Sequence, residues 1–295
     1  MSLHQSHAVD ERGANYNGRI PDLHALCLAG GEAPSLGHWI AHYRGLGIEQ
    51  IHVHMHLNAK DDPNRHAIEE TCRRMNCPIA QTHISSWYEA KHRAFNEFRA
   101  GFPADWFVVA DCDELQDYPM SVLEAVELCG RNGYDFVRGC FIDRIGPEGT
   151  LPAIDESLPI GPQFPIGAWF SYPVLGAYPL NVTMAKGAVS LDTGQHGAKN
   201  GLACPAKELF VPVHHFKWVA GIRERLIQRI AYLRSNNHPH WRESARFLEY
   251  MEATGGTINL DDPAFAAAEC TQGYPRFEEL KQMLLPQIDE SFRDS

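Results

Sequence analysis

From Asp22 to Cys140, five strand-like segments alternate with four helix-like ones, and no other feature of the sequence restricts the fold as strongly. "DLHALCLAGGE" (Asp22 to Glu32) is an apolar run closed by two glycines, the pattern of a buried strand entering a loop. In "SLGHWIAHYRGLG", Leu36, Trp39, Ile40 and Tyr43 recur at helical spacing, and Gly45 and Gly47 end the helix. "EQIHVHMHL" alternates: Ile51, Val53 and Met55 share one face, His52, His54 and His56 the other, which is a strand by period. "NAKDDPNRHAIEETCRRMN" reads as a loop and a helix that Asp61 or Asp62 can cap ahead of Pro63. "PIAQTHIS" is a short strand, and "SWYEAKHRAFNEFRAGF" a helix with Trp87, Ala90, Ala94 and Phe98 facing inward. "WFVVAD" is a strand, "SVLEAVELCGRNG" a helix capped by Ser121 and closed by glycine, and "YDFVRGCFIDRIG" the fifth strand. Such alternation predicts an α/β fold with a parallel, doubly wound sheet, whose ligands bind outside the carboxyl ends of the strands.

The remainder is organised differently. From Gly146 to about Phe210 the periodicity breaks down in a stretch rich in Pro and Gly, the character of a substrate-binding wall or lid. After "HHFKW" the chain turns helical: Ile222, Leu226, Ile230 and Leu233 mark one amphipathic helix, and "WRESARFLEYMEATG" and "FEELKQMLLPQI" two more. The expectation is a domain over 20–218 and a helical extension over 219–295 packed on it, within the reach of 295 residues. A net charge of −11 argues against a broad nucleic-acid or anionic-membrane surface, while leaving room for a small basic pocket. The eight cysteines are scattered without a CxxC pair, which suits reduced thiols in a cytoplasmic protein. Met1-Ser2-Leu3 reads as an expression scar, no secretory signal follows it, and no apolar segment approaches the ~20 residues of a membrane span.

The chemistry concentrates where Trp106-Phe107-Val108-Val109-Ala110 runs into Asp111-Cys112-Asp113-Glu114. Three carboxylates in four residues repel unless something cationic lies among them. In an extended segment residues i and i+2 point the same way, so Asp111 and Asp113 are expected to converge while Cys112 turns to the core. Paired carboxylates at a strand's carboxyl end suit a hard divalent ion, Mn²⁺ or Mg²⁺, that keeps open positions for the oxygens of a diphosphate. Lys91 and Arg93, on the preceding helix, can supplement that charge or belong to a solvated face.

"VVADCDEL" resembles the DxDE strand end of glycosyltransferase family 2-like enzymes with a GT-A fold, a Rossmann-like mixed sheet flanked by helices. The subgroup it is similar to pairs that motif with "WIAHYRGLGIEQIHV" near the start and "HHFKW" near the end, and all three occur here in that order, between Leu23 and Trp218. The resemblance implies a hexosyltransferase-like enzyme that moves a sugar from a nucleotide-diphosphate sugar to a carbohydrate or glycoconjugate acceptor. On the donor side it implies Gly30, Gly31 and Glu32 at the nucleotide, Asp111 near ribose and metal, Asp113 as a metal ligand, and His214 or His215 completing the metal shell. Family members often carry an Asp and a Ser-x-Asp after the second strand; His56 or Asp61 stands in that region here. If the reaction inverts the anomeric centre, as is usual in that family, a carboxylate must deprotonate the acceptor. Asp143 is the first candidate, ahead of Glu148, Glu156 and Asp192. Phe164, Trp169, Phe170, Tyr172 and Tyr178 offer rings that can stack on sugars or fill the core.

Two other classes compete. A metallohydrolase would use the His-x-His pairs of "HVHMH" with His196, His214 and His215, although a barrel needs more βα units than follow Cys140; otherwise His52, His54 and His56 are a polar sheet face or edge. A non-catalytic binder would keep the fold, with "GQHGAKNG" (Gly194 to Gly201) as a lid, an acceptor contact or a loop. A serine hydrolase lacks its GxSxG elbow, and "LAGGE" lacks the GxGxxG spacing of a dehydrogenase.

Overall fold

The computed structural model describes residues 21–290 except Glu32, Thr193, 237–239 and Gln272, with side chains through Pro286. The first alternating units fold as the patterning requires. They are β1 (Leu23–Ala29), α1 (Leu36–Gly45), β2 (Gln50–Leu57), α2 (Asn64–Arg74), β3 (Ile79–Ile84), α3 (Trp87–His92) and β4 (Trp106–Val109). A π-helical stretch, Arg93–Phe98, prolongs α3. β1 lies parallel to β2 and to β4, and β2 parallel to β3. Alternation along β1 sends Ala25, Cys27 and Ala29 toward α1 and α2, and Leu26 and Leu28 toward Ala90, Ala94 and Phe95. The sheet is therefore wound on both faces.

The parallel expectation fails after β4. A short β5 (Glu114–Gln116) and α4 (Val122–Asn132) lead into β6 (Phe136–Ile145). α4 begins with a reciprocal cap between Ser121 and Glu124 and ends at the left-handed Gly133. β6 does not pair with β4. β8 (Leu180–Lys186) lies between them, antiparallel to both, so the sheet is mixed, with the order β6-β8-β4-β1-β2-β3. β8 comes from the stretch expected to be irregular, which also supplies α5 (Ile160–Gln163) and β7 (Ile166–Ala168). Its side chains are buried on both faces, Asn181 and Thr183 included. Thr183 Oγ1 donates to Val137 O at 3.3 Å, which satisfies a hydroxyl that would otherwise be costly there.

β9 (Val211–His215) pairs parallel with β6 and antiparallel with β5, which brings His215 opposite Glu114. The approach of β9 requires glycine at 139, where a Cβ would lie 2.0 Å from Val211 O. Beyond Trp218 come α6 (Ile222–Ser235), α7 (Trp241–Ala253) and α8 (Phe277–Glu290), joined by an unforeseen edge strand, β10 (Ala268–Glu269), antiparallel to β7. Trp218, Ile222, Leu226, Phe247 and Met251 form a further core with Ile145, Ala168 and Phe170. Stacking of Trp218 on Phe247 at 4.4 Å fixes α7 against the end of β9. No helix among the described residues is long and apolar enough to cross a membrane.

Candidate active site

The acidic segment is a turn, and that changes which carboxylates meet. The Glu114 N–H donates to Asp111 O at 3.0 Å, so the chain reverses across Cys112 and Asp113 instead of continuing extended. Cys112 is buried in the main core, as expected, although the chain turns there rather than running extended. Asp111 and Asp113, expected to share one ion, instead face different partners. Asp111 Oδ2 accepts from Lys91 Nζ at 2.7 Å. Asp113 Oδ2 lies 3.6 Å from His215 Nε2. Among the described residues one group has metal-ligand geometry: Asp113, Glu114 and His215, each with a ligand atom within 4.8 Å of the others.

Glu114, which the sequence reading left out of the ligand set, is the hub of the turn. Its Oε2 accepts from Asp111 N at 3.0 Å, Asn181 Nδ2 at 3.2 Å and Gln195 Nε2 at 3.1 Å, leaving one oxygen to offer an ion. Burial, and then the charge of Asp111, push its carboxyl up to about 8. Lys91 is largely buried, not part of a solvated face; burial opposes its charge, and Asp111 and Glu114 more than restore it. The acidic tetrapeptide's required cation is thus in part Lys91.

Strand alternation separates the two histidines. His214, on the opposite face from His215, contacts Arg144 at 3.4 Å and Asp117 at 3.9 Å, so it is not a ligand of this centre. His215 faces the turn. Burial disfavours its charge, but Asp113 and Asp143 raise its pKa above the ordinary value. Asp143 stands behind it, Oδ1 3.7 Å from His215 Nδ1. The expected base role does not suit Asp143. It is 1% exposed, and its oxygens accept from Phe170 N, Ser171 N, Ser171 Oγ and Trp218 Nε1 at 2.7–3.0 Å. Asp143 acts on His215 as a nearby charge, with no hydrogen bond to His215 Nδ1 among the described residues.

The other candidates scatter. Glu148 occupies a left-handed turn position at a separate cavity, with Thr254, Asn259 and Asp261, and so is removed from this centre. Glu156 is exposed and pairs with Arg74. Asp61 is exposed, while its neighbour Asp62 does the local capping, accepting from Asn58 N and Asn64 N at 2.9 Å. His56 lies at the β1–β2 edge: its Nε2 meets Ser85 O at 2.9 Å, its ring is edge-on to Trp87, and a Cβ at Gly30 would come within 3.1 Å of Trp87. Glu32 lies outside the described residues.

Between the end of β1 and the turn is a cavity of ≈ 270 Å³, lined by Gly31, Pro34, Ser35, Asp113, Phe216 and Arg225, among others. It joins the carboxyl edge of the sheet to α6, which brings Arg225. Sequence reasoning missed Arg225, Asn181 and Gln195; only the DxDE motif itself signalled Glu114.

The histidines of β2 do not assemble a metal site. His52 Nε2 pairs with His24 Nδ1 at 3.0 Å and His54 Nδ1 with His83 Nε2 at 2.9 Å, beneath Phe98 and Phe102. They make a polar face of the sheet, covered by Phe98 and Phe102, and not the hydrolase centre considered above. No protein-family model and no curated protein matches this chain.

Proposed function

We propose that this protein is a metal-dependent glycosyltransferase of GT-A type that takes its sugar from a nucleotide-diphosphate donor. The observation that carries the reading is the Asp113, Glu114 and His215 group, within 4.8 Å at the carboxyl edge of the sheet and bordering a cavity walled by Gly31 and Arg225. The residues fit a divalent ion. Asp111 Oδ1, Asn181 Oδ1 and Gln195 Oε1, around Glu114, are buried acceptors without a donor among the described residues. Two carboxylates and an imidazole suit Mn²⁺ better than Mg²⁺, which prefers an all-oxygen shell. When bound, such an ion supplies Lewis-acid neutralisation of the departing diphosphate.

The chain's own residues divide the remaining work. Asp113 and His215 would hold the ion, and the Asp143 carboxylate 3.7 Å behind the imidazole favours its charge. Lys91 balances Asp111 and so lets a second carboxylate lie nearby. Arg225 lines the cavity where a diphosphate would lie, a residue type suited to that group. Gly31 allows that group to approach the backbone. A reducing, cytoplasmic setting belongs to this reading and rests on the scattered cysteines.

A thermal-shift screen of uridine, guanosine and thymidine diphosphates and their sugars, with and without Mn²⁺, tests it. Stabilisation by a diphosphate that needs both Mn²⁺ and Asp113 supports the reading. No stabilisation, or the same stabilisation in Asp113→Asn, removes it. Slow hydrolysis of a stabilising donor separates an enzyme from a binder.

A further inference from the structure

The motif "GQHGAKNG" enters the donor-side chemistry only at Gln195, through Glu114. It lies across the carboxyl edge of the sheet. Gln195 O accepts from Val182 N of β8 at 2.8 Å, and the Gln195 amide donates to Glu114 at 3.1 Å. The next side chain, His196, follows β8 as well, with Nδ1 2.9 Å from Leu180 O. A carbonyl only accepts, so Nδ1 carries the proton and Nε2 of the neutral ring is a bare lone pair. That Nε2 makes no hydrogen bond among the described residues. Burial favours the neutral ring; Leu180 O opposes this, Lys91 assists, and Asp192 and Asp111 oppose, for a net lowering of its pKa.

Position matters more. Phe141 lies between the two histidines, its ring 5.0 Å from His215 and 6.3 Å from His196. On the other side His196 meets the edge of Tyr178 at 5.7 Å, and Tyr178 is 45% exposed. His196 is thus linked through the Phe141 ring to His215 of the acidic centre, and through Tyr178 to solvent. Asp143 is saturated and Glu148 is elsewhere, so neither carboxylate competes for that place.

We propose that His196 Nε2 is the general base that deprotonates the acceptor hydroxyl, with Tyr178 and Phe141 as the apolar wall for the acceptor's sugar ring. This rests on the glycosyl-transfer reading. The hydroxyl proton passes to Nε2 as its oxygen bonds to the anomeric carbon. The bond from that carbon to the diphosphate oxygen breaks, and its electron pair leaves with the diphosphate. The imidazolium then returns its proton to solvent.

The experiment follows hydrolysis of UDP- and GDP-sugars in Mn²⁺, with water as acceptor, alongside calorimetric binding of UDP and GDP. It uses the wild type, His196→Gln, His196→Gly and Asp113→Asn, each checked for an unchanged melting temperature. His196→Gln is expected to slow hydrolysis about 100-fold or more, the usual worth of a general base, with diphosphate affinity unchanged. Added imidazole is expected to restore part of the rate in His196→Gly. A wild-type rate in His196→Gln with an inactive Asp113→Asn overturns the base and leaves the transferase standing. Weakened diphosphate binding in His196→Gln, or no imidazole rescue, makes His196 structural and overturns it too. Binding without hydrolysis in the wild type removes the base, and absence of both removes the transferase with it.

Discussion

Two groups of buried polar side chains lie on the same sheet and are built on opposite terms. In the histidine ladder, His24 with His52 and His54 with His83, each pair shares one hydrogen. Burial, then the neighbouring ring, hold His52 down at about 4 and His54 at about 3, so those rings are neutral at pH 7. The acidic turn gathers Asp111, Asp113 and Glu114 around Lys91 and His215, with three nearby acceptor oxygens undonated. The ladder rests on ring-to-ring hydrogen bonds between neutral His52 and His54 and their partners, with His54 Nε2 left buried and without a hydrogen-bond partner among the described residues. The turn rests on charge pairs with Lys91 and His215 and leaves acceptor oxygens undonated beside a cavity. Richness in metal-binding residue types is therefore a poor guide; close carboxylates with undonated oxygens beside a cavity are the better one.

The contrast is broken most directly at Asp113. Asp113→Ala is expected to lower donor turnover about a thousandfold or more, the several kcal/mol that a bound ion contributes. It removes one of the crowded carboxylates, so the melting temperature without metal should hold or rise; a fall would mean that Asp113 is structural. Lys91→Met acts in the opposite sense by leaving Asp111 uncompensated. We expect a loss of about 3 kcal/mol in urea unfolding, the lower end for a pair with one partly open partner. Lys91→Met with Asp111→Asn should regain much of that loss, and an additive double variant would show that the pair is not coupled. Asp143→Asn is expected to weaken Mn²⁺ binding by about 10- to 100-fold through His215, as loss of a ligand's supporting carboxylate does. Unchanged Mn²⁺ affinity would detach Asp143 from the centre.

Periodicity made the βα half of the fold legible because each strand there carries a one- or two-faced apolar pattern ahead of a helix. β8 was hidden although "LNVTMAK" alternates, since its polar positions, Asn181 and Thr183, are buried and its neighbours are Pro and Gly. Its insertion between β4 and β6 is a long-range event that local pattern does not encode. At the site, Asp113 and His215 came from a motif and an HH segment. The partition of Asp111 to Lys91 depended on one turn hydrogen bond, Glu114 N–H to Asp111 O. The separation of His214 from His215 needed only the period of two, once β9 was known to be a strand. Gln195 and Asn181 had no local signal, because they reach Glu114 from the far side of the chain.

The ladder itself offers the smallest and sharpest test. An imidazole whose pKa falls on folding takes up its proton in the unfolded chain first. Its contribution to stability is complete above the unfolded value of about 6.5 and is lost as pH falls toward the folded value. The window therefore runs from about 6.5 down to about 4 for His52 and about 3 for His54. His54→Gln keeps an amide to pair with His83 but does not titrate. Urea midpoints at pH 7.5 should be close for the two proteins. Between pH 6 and 4 the wild type should fall more steeply, by at most about 1.4 kcal/mol per pH unit for that one ring. Equal slopes would mean that His54 is protonated in the folded protein as readily as in the unfolded chain. The ladder would then be an open polar face, and its contrast with the acidic turn would fail.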